Sequence, residues 1–159
     1  MTDLVIAGTG FRRDAFRLEW QQGPSAGEHD AYQRFLDGDP LTPAGWPEWQ
    51  AWLSRVQQMT KRALISRVVL LDQPPTQYQQ WRIWAAPWHQ LAGEDVRFLQ
   101  YREAQDLGLP IGNWWLFDSE VLVDINGTRT TGPAGTVLYR RGRDLALLHA
   151  RSAENAYAV

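Results

Sequence analysis

The chain contains no cysteine. That excludes disulfides, thiolate metal sites and a cysteine nucleophile, and it is compatible with a reducing compartment. Lys61 is the only lysine among 16 basic residues, the arginine bias that a GC-rich coding sequence produces. No run of about twenty apolar residues is available to span a bilayer, and Met1 to Ile6 lacks the basic start and long apolar stretch of a secretory signal. A cytoplasmic location, away from the membrane, is the expectation. A net charge of −2 and a pI near 5.9 argue against nucleic acid as a direct partner, since phosphate neutralisation needs a basic face. Arg140, Arg141 and Arg143 cluster, but Asp144 follows at once, which reads as a solvated turn. Histidine is also scarce. His29, His89 and His149 are the full set, none at metal-ligand spacing, so neither a metal nor another cofactor is expected. No serine lies in a Gly-x-Ser-x-Gly context.

What remains is a chain of 159 residues, long enough for one domain with a real core. The reading places that domain at residues 15–153, after a loose N-terminal arm at 1–14 and before a tail at 154–159. Gly8-Thr9-Gly10 follows a short apolar run, but Arg13 occupies the third glycine position of a dinucleotide fingerprint, and no βαβ unit is evident nearby.

Ala15 to Trp20 alternates like a short strand, and Glu28 to Leu36 has helical spacing. Trp46, Trp49, Trp52, Leu53, Val56 and Met59 form an aromatic stripe on a second helix. Ile65 to Leu71 is a nearly continuous β-branched and apolar run, the mark of a buried strand. Thr76 is positioned to cap a helix carrying Tyr78, Trp81, Ala85 and Trp88, and Val96 to Tyr101 alternates as a strand. Glu103 to Leu107 reads as a helical turn closed by Gly108, and Val121 to Ile125 as a strand ending in the hairpin signal Asn126-Gly127, with Gly135 to Tyr139 as its expected partner. Asp144 to Ala153 suggests a last helix. This order favours an α+β domain, its sheet mostly antiparallel and its helices packed on one side.

Asn113-Trp114-Trp115-Leu116-Phe117-Asp118 is the most telling stretch. Alternation puts Trp114 and Leu116 on one face of a strand and Trp115 and Phe117 on the other, so both faces need cover. Glu19, Glu94 and Asp118 lie beside aromatic or apolar segments, where a carboxyl can be tuned as an acid or base. The plainer reading pairs them with Arg17, Arg67 or Arg97, or makes them caps. Nine tryptophans either fill the core or line a binding surface, for which Trp20, Tyr78, Trp81, Arg97, Trp114 and Trp115 are the candidates.

Ala15-Phe16-Arg17-Leu18-Glu19, Arg67-Val68-Val69, Pro74 with Tyr78, Ala92-Gly93-Glu94-Asp95-Val96-Arg97, Leu107-Gly108-Leu109-Pro110 and Trp115-Leu116-Phe117-Asp118 occur in an order that resembles an actinobacterial family. That family is described only as a domain of unknown function (domain of unknown function 6879). The resemblance runs from about Ala15 to His149. Its members are often encoded near helix-turn-helix regulators, which implies a regulatory or accessory role. Two readings of function follow. The first is a non-catalytic module that binds a small molecule or a protein partner, a second copy of the chain included, through a Trp-rich surface. The second is a small metal-free enzyme of specialised metabolism, with Glu19, Glu94 or Asp118 as acid or base in an aromatic pocket.

Overall fold

The structure, a computed structural model, describes residues 10–156. Six strands form one sheet in the order β3-β2-β1-β4-β5-β6. β1 (Asp14–Glu19) leads through a 3₁₀ turn at Ala26–Glu28 into α1 (His29–Leu36) and then α2 (Pro47–Met59). β2 (Leu64–Leu71) follows, then α3 (Gln77–Leu91) and β3 (Asp95–Gln100). β1, β2 and β3 are parallel neighbours. After α4 (Tyr101–Asp106), strands β4 (Trp114–Phe117), β5 (Val121–Asp124) and β6 (Arg129–Thr131) add an antiparallel meander to the free edge of β1. α5 (Pro133–His149) and a 3₁₀ turn at Ala153–Asn155 follow.

The α+β class holds, and three of the five strand pairings are antiparallel. The chain also contains a βαβαβ unit that the sequence reading did not find, opening at Asp14. Its parallel strands were disguised because β1 alternates apolar and charged residues, as a half-solvated antiparallel strand would. Helices cover both faces rather than one. On the first, Ala15, Ile65, Trp115, Phe117 and Val123 meet Trp49, Trp52, Leu53 and Val56 of α2 and Ala85 of α3. On the second, Phe16, Leu18, Val68, Leu70, Leu99, Trp114, Leu116 and Leu122 meet Ala104 of α4 and Ala146 of α5. A central strand that is apolar on both sides cannot leave either face to water.

Local chemistry accounts for the element ends. Thr76 Oγ1 accepts the Gln79 amide at 3.1 Å and Gln79 Oε1 accepts the Thr76 amide at 3.1 Å, a reciprocal cap that starts α3. Asp124 Oδ1 accepts the amides of Asn126 and Thr128, and Gly127 sits at φ 79°, so the turn closes at once. The strand opposite β5 is therefore Arg129–Thr131. Gly135 to Tyr139 lies inside α5, which Pro133 starts in the first helical turn.

Of the expected arm, residues 1–9 lie outside the described residues. Phe11 is buried and belongs to the core. Gly93, which turns α3 into β3, holds φ +99°, and a Cβ there would stand 2.5 Å from Thr60 Oγ1. Gly93→Ala is expected to cost about 1–3 kcal/mol in urea unfolding, from left-handed strain and the clash together. Among the described residues no helix is long and apolar enough to cross a membrane.

Candidate functional site

Ala15, Arg17 and Glu19 of β1 share a face with Ile65, Arg67 and Val69 of β2, and the parallel register sets Arg17 beside Arg67. Two adjacent guanidiniums under a helical layer need anions. Glu19 Oε2 accepts from Arg67 Nη1 at 2.9 Å and from Arg17 Nε at 3.3 Å, while its Oε1 lies 3.2 Å from Arg82 Nε of α3. Arg67 Nε donates to Glu94 Oε1 at 2.7 Å. His89 Nδ1 lies 2.9 Å from Glu94 Oε2, and Trp49 Nε1 donates to His89 Nε2 at 3.2 Å. Because the indole can only donate, His89 Nε2 must be the acceptor and Nδ1 carries the proton toward Glu94. Trp115, next to Arg17 across β4, lies under the cations, with the Arg17 and Arg67 guanidinium carbons 5.4 and 6.0 Å from its ring centre.

Each ionisation follows from these neighbours. Burial alone would raise Glu19, but Arg82, Arg67 and Arg17 outweigh it and hold the carboxylate far below its usual range. Burial likewise opposes ionisation of Glu94, yet Arg67 and the His89 N–H bring it down to about 2. Burial lowers His89 more than Glu94 raises it. The site is thus a set of ionised carboxylates and guanidiniums around a neutral imidazole.

A pocket of about 290 Å³ opens above this network, lined by Arg17, Glu19, Gln21, Ser25, Glu28, Arg67, Tyr78, Arg82, Asn113 and Ile125. It lies at the carboxyl end of β1, beside the start of β4, where the strand order reverses direction. Open α/β sheets commonly take ligands at such a point. Glu28 Oε1 accepts from Ser25 Oγ at 2.7 Å and Oε2 from Tyr78 Oη at 3.2 Å, which fixes the far wall. Burial pushes the Tyr78 phenol up, so it stays protonated. Asn113 pairs with both backbone groups of Trp20, its Oδ1 accepting at 3.1 Å and its Nδ2 donating at 2.7 Å.

Residues 4–158 match the family described as Domain of unknown function (DUF6879). The chain belongs to that family. No curated protein matches it. In this DUF6879 domain, two of the three carboxylates singled out in the sequence converge, Glu19 and Glu94 meeting through Arg67. Asp118 stands at the opposite end of β1, roughly 15 Å away at the rise of a strand. Its oxygens accept the amides of Arg12, Arg13 and Asp14 at 2.9, 2.7 and 3.0 Å. These bonds overcome the effect of burial and keep it ionised. It is a clamp for the chain entering β1.

The tryptophans of the DUF6879 domain are interior. Trp49, Trp52, Trp81, Trp114 and Trp115 are buried, and Trp20, Trp46, Trp84 and Trp88 half-buried. Trp114 belongs to the second face, edge-on to Tyr139 at 5.0 Å. Trp20 stacks on Tyr101 at 4.2 Å. Trp81 packs against Tyr78 and Trp46. Arg97 points to the second face, bonded to Asp95 and to the Leu147 carbonyl. Of the six ligand-binding candidates only Tyr78 lines the pocket. Arg82, His89, Glu28 and Asn113 were not singled out as site residues. Arg82 and His89 lie on a helix whose aromatic stripe dominated its pattern, each one turn on from Tyr78 and Ala85 respectively, and that spacing was the available signal.

Proposed function

We propose that this domain is a non-catalytic binding module that takes a small, polar molecule bearing a carboxylate or similar anionic group in the pocket above Arg67 and Arg82. The observation that carries the reading is donor supply. Arg67 spends Nε and Nη1 on Glu94 and Glu19, and Arg82 donates Nη2 to Glu19 while its Nε, 3.2 Å from Glu19 Oε1, makes an ion pair without a hydrogen bond, so Arg67 Nη2 and Arg82 Nη1 have no hydrogen-bond partner among the described residues. A planar guanidinium fork suits carboxylate or phosphate oxygens. The Tyr78 hydroxyl and the Asn113 side chain add polar groups for orientation. A volume near 290 Å³ is at the small end for ligand sites.

The acid–base alternative has less support. Glu19 and Glu94 are held ionised by arginine, which makes them poor proton donors, and His89 has no free nitrogen to act as a base. The binding reading therefore differs from the sequence expectation in location: it rests on a charged pocket and not on a tryptophan surface.

Thermal unfolding of the full chain against small mono- and dicarboxylates and inorganic phosphate tests the proposal. A ligand at a hundred times its Kd stabilises by about 2.7 kcal/mol, which is several degrees in Tm for a chain of this size. Ile125 stands 67% exposed at the pocket rim, so Ile125→Trp is expected to remove the shift by narrowing the mouth while leaving the ligand-free Tm nearly unchanged. No shift with any anion, or a shift equal in Ile125→Trp, would count against the reading.

A further inference from the structure

The outer face of α5 is apolar where a surface helix is normally polar. Val137, Leu138 and Leu148 are 54%, 60% and 76% exposed. Val137 and Leu148, with half-buried Leu145, border a shallow groove of about 430 Å³ that also includes Arg140, Arg141 and Asp144. The opposite face is firmly seated. Thr136, Gly142 and Ala146 are buried, and Gly142 lets the helix approach Pro110 so closely that a Cβ would stand 2.7 Å from Pro110 Cδ. The stripe is thus a fixed feature of a docked helix. Its positions 137, 141, 144 and 148 step by four, three and four, the spacing of a helix–helix seam.

The charges within the seam indicate what covers it. Arg141 makes no hydrogen bond or ion pair among the described residues, and Asp144, paired with Arg143 through Oδ1, remains largely exposed. Consider a two-fold axis passing between Gly142 and Arg143, with two α5 helices antiparallel. Val137 then faces Leu148 of the other copy, and Arg141 faces Asp144, each pair occurring twice. A self-complementary patch of this kind is what an isologous dimer requires. An unrelated partner would have no reason to match the reversal of apolar and charged positions about the helix centre.

We propose that the α5 face binds a second copy of this chain through antiparallel α5 helices, with Arg141–Asp144 pairs fixing the register. Sedimentation velocity of the full chain over a wide concentration range tests it, using Arg141→Asp, Asp144→Arg and the double exchange. Both positions are exposed, and circular dichroism checks that the fold is kept. The wild type is expected to dimerise with concentration. Each single exchange should place like charges opposite each other and weaken dimerisation by about tenfold or more, and the double exchange should restore it. A chain monomeric at every concentration overturns the proposal, and so does a dimer indifferent to either single exchange. A double exchange no better than the singles overturns the register. Leu148→Lys provides an independent check and is expected to abolish the dimer.

Discussion

Arg67→Ala is expected to lower the free energy of unfolding by about 3–5 kcal/mol at pH 7, enough to leave a domain of ordinary stability partly unfolded. Arg67 bridges Glu19 and Glu94, two carboxylates that are 2% exposed or less. Its removal leaves Glu94 in the interior with only a neutral imidazole, while Glu19 keeps Arg17 and Arg82 but loses its shortest donor. The variant has a diagnostic pH response. Without Arg67, burial becomes the dominant influence on Glu94 and drives its folded pKa above the unfolded value. Such a group adds stability below its unfolded pKa and loses it as pH rises through the folded one. Urea unfolding should therefore show a deficit that is largest at pH 7 and narrows toward pH 4. A deficit constant across that range would mean that Arg67 acts through packing alone.

The wild type should respond in the opposite sense, losing stability on acidification in two windows. His89 is neutral in the fold, its pKa held below the ordinary 6.5 first by burial, while the unfolded chain takes up a proton near that value. The unfolded state thus binds more protons as pH falls below about 6.5, and stability declines. Glu94 moves from 4.5 unfolded to about 2 folded, so its contribution, on the order of 3 kcal/mol, is present above pH 4.5 and lost between there and pH 2. Glu19 acts in the same direction. His89→Gln should remove the upper decline and leave the lower one. Persistence of the upper decline in that variant would assign it to another group.

Much of the scaffold was legible because burial leaves a direct imprint on pattern. The Trp-Trp-Leu-Phe run required cover on both faces and has it, from Trp49 and Trp52 on one side and Ala146 with Tyr139 on the other. The nearly continuous apolar run from Ile65 marked a buried strand, and Thr76 marked a helix start. Glu19 stood out beside an aromatic segment and Arg17 as a possible partner, but a buried arginine network around them was not legible, because alternating charge in a strand normally means solvent. Here the charged face lies under α2 and α3 and forms the site. The same residues concealed the parallel half of the sheet. Gly135 to Tyr139 misled for a more local reason. Val137, Leu138 and Tyr139 resemble a strand over three residues, while the longer helical pattern from Pro133 through Ala146 governs. The nine tryptophans drew attention to a surface, but large rings that bridge sheet and helices are absorbed by the core.

The central claim is that the arginine pair under the pocket receives an anionic ligand. Its most direct test is a ¹⁵N NMR titration of the full chain with whichever small carboxylate or phosphate raises Tm most, following the arginine side-chain Nε–H resonances. The account predicts saturable shifts of the Arg67 and Arg82 signals, together with backbone amides of Gln21 and Asn113 at the rim. Saturable shifts confined to surface arginines such as Arg140 and Arg141, with Arg67 and Arg82 unmoved, would contradict it.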